Sequence, residues 1–474
     1  MSTHDFVVVA NRLPVDVVDG HWQVSPGGLV TALQPVLKNR GGCWVGWPGT
    51  TEEDLEPFDH DGFRLQPVSL SQQEFEDYYE GFSNATLWPL YHDLVVQPQY
   101  HRHWFEAYLT VNHRFAQATA AVAAPGATVW VQDYQLQLVP GLLRKLRPDL
   151  KIGFFLHIPF PHPDLFHQLP WRKECVEGIV GADVVGFHLR GNAENFLQLT
   201  DSPQGQASIR EITATCTAPD GRTVGVGAFP ISIDTSAVVH EEDEVARVRT
   251  ALAGDTVILG VDRLDYTKGI LHRLEAFEEL LEEGKLDPDN TVLVQVATPS
   301  RERIDDYKRT RQEVEAAVGR INGRFGRIAK PVVHYIHRSL PKAELMAYYV
   351  AADVMLVTPL KDGMNLVAKE FVACHPDSGA LVLSEFAGAA DELKGAYLCN
   401  PFDVESIKKK LVQAVEDVRA DKTGDTAAAM YSFVQEHNVD LWASSFLRAL
   451  DQAQDKQWRV RPAEDGAQQG GTGR

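Results

Sequence analysis

Apolar runs bounded by polar or turn-forming residues recur along the whole chain. DFVVVANR (5–12), ATVWVQDY (127–134), KIGFFLHIPF (151–160) and ADVVGFH (182–188) fall in the first half. TVILGVDRL (256–264), TVLVQVAT (291–298), PVVHYI (331–336), ADVMLVT (352–358) and GALVLSEF (379–386) fall in the second. Near-continuous rather than alternating hydrophobicity is the mark of strands covered on both faces, as in parallel sheets. Between them the polar positions take a helical spacing, as in DLFHQLPWRKECVEGIV (164–180), GILHRLEAFEELLEEG (269–284) and KAELMAYYVAA (342–352). Strands alternating with helices predict an α/β protein with right-handed crossovers. Two such series in succession predict two Rossmann-like domains facing across a deep cleft. The expected boundary lies near residue 232, giving a first domain of 1–232 and a second of 233–440. A closing helix over 441–461 is expected to return to the first domain. A Gly- and Gln-rich tail over 462–474 is expected to be disordered.

Ligands in open α/β sheets bind beyond the carboxyl ends of the strands. Polar residues gather at those ends here: Arg12, Asp133, Arg263 and Arg301 follow apolar runs, and His157 interrupts the expected strand FFLHIPF. Any one of them reads equally as a surface charge or a satisfied core group, but five at equivalent ends describe a cleft. In GVDRLDYTKG, Arg263 and Lys268 lie five residues apart across a turn into a helix. With no acid to neutralise both, the pair predicts a bound diphosphate, against the alternative of an Arg263–Asp265 surface pair. In TPLKDGMNLVAKE (358–370), a strand, a tight loop and a helix follow one another, with Asn365 as the expected N-cap. Free amides at such a start, Leu366 to Glu370, favour phosphate. Glu370 itself repels phosphate, so it reads either as an acceptor for ribose hydroxyls or as a solvated carboxylate. VSPGGLVTAL (24–33) brings Gly27 and Gly28 to a turn before a helix, either a plain turn or a loop approaching the diphosphate. Trp47, Tyr79 and Trp88 are aromatic residues suited to sugar faces or to the core.

Composition narrows these readings. Of 474 residues, 44% are hydrophobic and 23% charged, an ordinary balance for a globular protein too long for one core. A formal charge of −20 argues against nonspecific nucleic-acid binding. No apolar run reaches the roughly 18 residues of a membrane span, and the N-terminus lacks the pattern of a signal peptide. The five cysteines are scattered without metal-type spacing, which predicts reduced thiols, no metal site and a cytoplasmic protein.

The motifs NRLPV, SPGGL, GFSNATLWPLYH, VQDYQLQLVP, FFLHIPFP, DRLDYTKGI, PSRERIDDYK, GRINGRFG, TPLKDGMNLVAKEFV and LSEFAGAADEL occur in this order. Together they resemble the trehalose-6-phosphate synthase family, retaining glycosyltransferases of the two-Rossmann (GT-B) fold, from residue 5 to about 455. The resemblance implies that Arg12, Tyr79, Asp133 and Arg301 bind glucose 6-phosphate and that Trp88 sets acceptor selectivity. It implies that Gly27, Gly28, Arg263, Lys268 and Leu366, Val367, Ala368, Lys369 and Glu370 bind the nucleotide sugar. His157 and Asp362 are implied to contact the donor glucose, with Asp133, Arg263 and Lys268 completing the catalytic set. Two departures stand out: Gln132 where the family has His, and Leu340 where some members set a Phe against the base.

The implied reaction joins glucose from a nucleotide-diphosphate glucose to glucose 6-phosphate, giving α,α-trehalose 6-phosphate. It needs no cofactor and no metal, and it is implied for a homo-oligomer. Front-face attack, with the leaving phosphate taking the acceptor proton, suits a site with no well-placed nucleophile. Three rivals differ in what they require. A phosphorylase needs a pyridoxal-phosphate lysine. A cyclitol-joining pseudo-glycosyltransferase should diverge in the Gly-Gly and DGMNL segments, and a silent sensor should have lost Arg263, Lys268 or Glu370. The nucleotide, UDP, GDP or ADP, is left open.

Overall fold

The computed structural model describes residues 3–18, 21–24, 28–51, 55–200, 211–252 and 256–454. Gly27, the end of the expected closing helix and the expected disordered tail lie outside the described residues. Two large sheets carry the chain. The first has nine strands in the order Ile212–Thr217, Thr223–Ala228, Val184–Phe187, Lys151–Phe155, Ala123–Gln132, His4–Arg12, Cys43–Trp47, Phe63–Pro67, Phe58–His60. Its pairings are parallel except at the two edges, where short hairpins close it. The second has six strands, all parallel: Val333–Ile336, Thr291–Thr298, Thr256–Arg263, Val354–Val357, Ala380–Ser384, Tyr397–Cys399. All nine apolar runs form strands; eight lie inside the sheets, as expected of strands shielded on both faces, and the ninth, Val333–Ile336, is a partly buried edge strand of the second sheet.

Differences from the sequence pattern have local causes. The run 151–160 ends as a strand at Phe155, so His157 lies beyond the strand rather than within it. The pattern over 164–180 breaks into Pro163–Phe166 and Arg172–Ile179, with Pro170 in the gap, where its missing N–H cannot continue a helix. Residues Phe75–Leu87 form a π-helix, a rare form that recurs at functional sites.

The chain passes between the sheets twice. After Ala228 it runs through Ile231 and Ile233 to the second half. It returns at helix Val439–Gln454, where the Val439 amide donates to the Ile233 carbonyl at 3.1 Å. In that helix Phe446 stacks on Trp130, centroids 4.7 Å apart at 7°, and covers Gly153 and Gly186, where any side chain would collide with its ring.

Candidate active site between the two sheets

The carboxyl ends of the two sheets meet at backbone distance. Gly363, in the loop after strand Val354–Val357, packs so tightly on His157 that a Cβ would drive into the His157 carbonyl oxygen. Around this contact the structure gathers most of the expected residues. His157 donates its backbone amide to Asp133 Oδ1 at 3.1 Å, and its Nε2 lies 2.8 Å from Gln132 Oε1. Burial, with His188 nearby, holds the His157 imidazole well below its ordinary value, so it is neutral. Asp133 sits at φ 72°, a left-handed conformation rare outside glycine. Burial lifts its carboxyl to about 6 against the amides of His157 and Tyr134 and the charges of Arg263 and Arg301.

On the second sheet, the turn Asp265–Gly269 carries the cations. Gly269 takes φ 62°, and a Cβ there would strike the Thr358 carbonyl, so the turn requires glycine. The buried Arg273 braces it, donating to the Lys268 carbonyl at 2.9 Å and to Asp262 at 2.6 Å. Lys268 is not without an acid, which corrects the reading of the sequence: its ammonium lies 2.5 Å from Asp362 Oδ2. Burial pushes the Asp362 carboxyl up, but Lys268 and Asn365 more than offset this and leave it below the ordinary range. The alternative Arg263–Asp265 surface pair does not form. Asp265 is buried and accepts from Thr267 and from Tyr307 at 3.0 Å. Arg263 is exposed, its guanidinium 5.1 Å from the Trp88 ring, and among the described residues no carboxylate lies within ion-pair distance of it.

Helix Leu366–Cys374 opens beside Lys268. Asn365, at φ 78°, caps it by accepting from the Ala368 amide at 3.1 Å. Among the described residues the Leu366 and Val367 amides have no acceptor, leaving two donors at the helix mouth. Glu370 is half-buried and accepts from the Tyr349 hydroxyl at 2.7 Å. Lys369 departs from expectation, because its side chain points into the core. Its ammonium is fully buried, 2.6 Å from Glu392 and 2.8 Å from the Ile231 carbonyl, so it ties the helix to the crossover between the halves. Leu340 lies in the loop before helix Lys342–Ala351, packed against the core's edge. Gly28 begins helix Gly28–Arg40, and nothing is described of its partner Gly27.

Arg301 forms a second centre, its guanidinium 3.5 Å from the buried Asp265 carboxylate. It takes φ 49°, is almost wholly buried, and lays its guanidinium 4.0 Å from the Trp88 ring. It donates to the hydroxyls of Tyr307 and, at 3.0 Å, Tyr134, and Tyr134 donates to Asn84 at 2.7 Å. Among the described residues, Arg301 Nε, Trp88 Nε1 and Asn84 Nδ2 are buried donors without an acceptor. Arg12 lies over Trp47, 4.9 Å from its centroid, and Trp47 adjoins Tyr79 through rings 6.3 Å apart. Trp47 is itself buried, so Tyr79 is the more exposed of the two. Tyr134, Tyr307 and Asn84 escaped the sequence reading, although Tyr134 adjoins Asp133, and Asp265 was read only as a surface partner for Arg263.

Among the described residues, one carboxylate group is tight enough to suggest a metal: Glu279, Glu283 and Glu405, remote in sequence from the cleft motifs. The Lys408 ammonium occupies its centre, within 2.8 Å of all three. No described helix is long and apolar enough to cross a membrane.

Two parallel-sheet halves, with cations, a helix mouth and aromatic walls gathered between them, define the GT-B class of glycosyltransferases. The sequence model for glycosyltransferase family 20 matches residues 4–452, and the chain belongs to that family. It is 56% identical over 467 residues to the trehalose-6-phosphate synthase of Mycolicibacterium smegmatis, covering 95% of this chain and 93% of that one. It is 54% identical over 474 residues to that of Mycobacterium tuberculosis H37Rv, covering 94% of each. Among solved structures it resembles a UDP-forming α,α-trehalose-phosphate synthase from Burkholderia xenovorans in complex with glucose-6-phosphate. That match has a TM-score of 0.86 and 34% identity, over 94% of this chain and all of the other. An E. coli protein bound with UDP-2-fluoro glucose matches with a TM-score of 0.83 and 31% identity, over 94% and 99%.

Proposed function

We infer that the chain makes α,α-trehalose 6-phosphate by moving glucose, with retention, from a nucleotide-diphosphate glucose to glucose 6-phosphate. The observation that supports this reading is the gathering of Lys268, Arg263 and Arg301 about the seam, with Arg263 and Arg301 sharing the Trp88 ring and Lys268 beside the mouth of helix Leu366–Cys374. Lys268, Arg263 and the Leu366 and Val367 amides suit the diphosphate. Arg301, with Tyr134 and Arg12 on the opposing wall, suits the phosphate of the acceptor sugar. Trp88 backs the Arg301 guanidinium from beneath, and Tyr79 borders the acceptor.

The chemistry follows from charge placement. As the glycosidic bond lengthens, negative charge builds on the leaving diphosphate, where two cations and a helix mouth stabilise it in a site partly shielded from water. Lys268 then exchanges part of its contact with Asp362 for phosphate oxygen, and Asp362 gains the freedom to accept from a donor-sugar hydroxyl. The neutral His157 can exchange a hydrogen bond with that sugar but adds no charge. Asp133 accepts from the acceptor sugar and orients its anomeric hydroxyl, whose proton passes to the departing phosphate. Positioning and charge neutralisation carry the rate.

The test is release of nucleoside diphosphate from UDP-, GDP- and ADP-glucose with glucose 6-phosphate or unphosphorylated glucose. Release that depends on the phosphate of the acceptor supports the reading. Equal release with glucose would remove Arg301 from its role.

A further inference from the structure

Helix Lys342–Ala351 follows directly on the loop that holds Leu340, and it packs against helix Leu366–Cys374. Its Tyr349 is fully buried, with its hydroxyl 2.7 Å from Glu370 Oε2. The hydroxyl donates and the carboxylate accepts. The Tyr349 carbonyl lies 2.9 Å from His375 Nε2, one residue past the end of Glu370's own helix. Tyr349 is therefore tied at both its ends to the helix that carries Glu370. One carboxylate oxygen is engaged on the inner side, and Glu370 as a whole stays only half-buried.

We propose that Tyr349 is a positioning residue for nucleoside recognition, holding the Glu370 carboxylate in the rotamer that accepts from the ribose diol. This rests on the reading of Glu370 as a ribose acceptor. Tyr349 touches no substrate and acts through Glu370. Its helix begins just after the Leu340 loop, so Tyr349 links that loop's helix to Glu370.

The experiment compares Tyr349→Phe, Glu370→Gln and the double variant in full-length protein, using UDP-glucose, its 2′,3′-dideoxyribose analogue and UDP as a product inhibitor. Loss of one well-placed hydrogen bond predicts a donor KM raised about threefold to tenfold in Tyr349→Phe, with kcat within about twofold. The KM for glucose 6-phosphate stays unchanged, and UDP inhibits more weakly by the same factor as the donor KM rises. The double variant is no worse than Glu370→Gln by more than about twofold, because both changes remove one interaction. The ratio of KM values for the ribose and dideoxyribose donors falls in Tyr349→Phe. That ratio is internal to one preparation, so partial unfolding does not alter it. If Glu370→Gln raises donor KM while Tyr349→Phe leaves it and the ratio unchanged, or if the two effects add fully, the positioning role is wrong and the ribose reading stands. If Glu370→Gln leaves donor KM and UDP inhibition at the parent values, the ribose reading itself fails and takes the proposal with it.

Discussion

Lys268 and Asp362 form a buried pair at 2.5 Å, so removing the cation does two things at once. It withdraws charge from the leaving diphosphate and exposes that diphosphate to an uncompensated carboxylate. Lys268→Ala should lower kcat by roughly 10- to 150-fold, the loss of a charge-assisted contact, and UDP should inhibit poorly. Arg301→Ala should show the opposite bias, raising the KM for glucose 6-phosphate by a similar factor while leaving donor KM within about twofold. A parent-like acceptor KM would remove Arg301 from the acceptor site. Asp133 gives a pH signature. Its carboxyl, raised by burial to about 6, is ionised above that value, so kcat/KM for the acceptor should fall as pH drops through about 6. The stability effect has the other sign. A carboxylate whose folded pKa exceeds its unfolded one costs the fold stability above about 6, and that cost fades as pH falls toward the unfolded value near 3.8. Asp133→Asn should therefore match or exceed the parent in Tm at pH 7 while losing activity and the acid limb. Loss of both Tm and activity together would mean that Asp133 is structural.

At the scale of elements, the contact that matters most is the one between the Asp362–Asn365 loop and the chain beyond strand Lys151–Phe155. Gly363→Ala should force these apart, at a cost of about 1–3 kcal/mol from overpacking. If the proposed substrates meet at this contact, kcat should drop by about tenfold or more with only a modest loss of Tm. Unchanged kcat would show that the contact does not set the geometry. This loop was legible in the sequence because Pro359, Gly363 and Asn365 punctuate it and a buried strand precedes it. The central strands were legible for the same reason, long apolar runs with clear ends. Peripheral strands such as Phe58–His60 and Tyr397–Cys399 are three residues long, too short to show a period. The π-helix Phe75–Leu87 does not follow the 3.6-residue spacing by which helices are recognised. The direction of the Lys369 side chain was not legible in the sequence, because neighbours on a helix point about 100° apart. It turns toward the core, where Glu392 and the Ile231 carbonyl hold it.

In the whole molecule, function depends on two sheets brought to one seam. Arg301, from the second half, is held by Tyr134 and Trp88 of the first, and Arg303 pairs with Glu76 of the π-helix at 2.6 Å. Neither half alone contains the cluster of Arg301, Tyr134 and Trp88 proposed for the acceptor, and that is why no single motif announced it. The pairing of Tyr134 with Tyr307 across Arg301 exists only after folding brings residues 173 positions apart together. The central claim is that protein cations, helix amides and positioning suffice for transfer with retention. Its most direct test is to incubate the protein with UDP-glucose labelled with carbon-13 at the anomeric position, glucose 6-phosphate and excess EDTA, and to follow the anomeric signals by NMR. The same mixture should be repeated with GDP- and ADP-glucose. At least one donor should yield α,α-trehalose 6-phosphate, with one nucleoside diphosphate released per disaccharide and no loss of rate in EDTA. A β-linked product, free labelled glucose without disaccharide, or activity abolished by EDTA and restored by magnesium would contradict it.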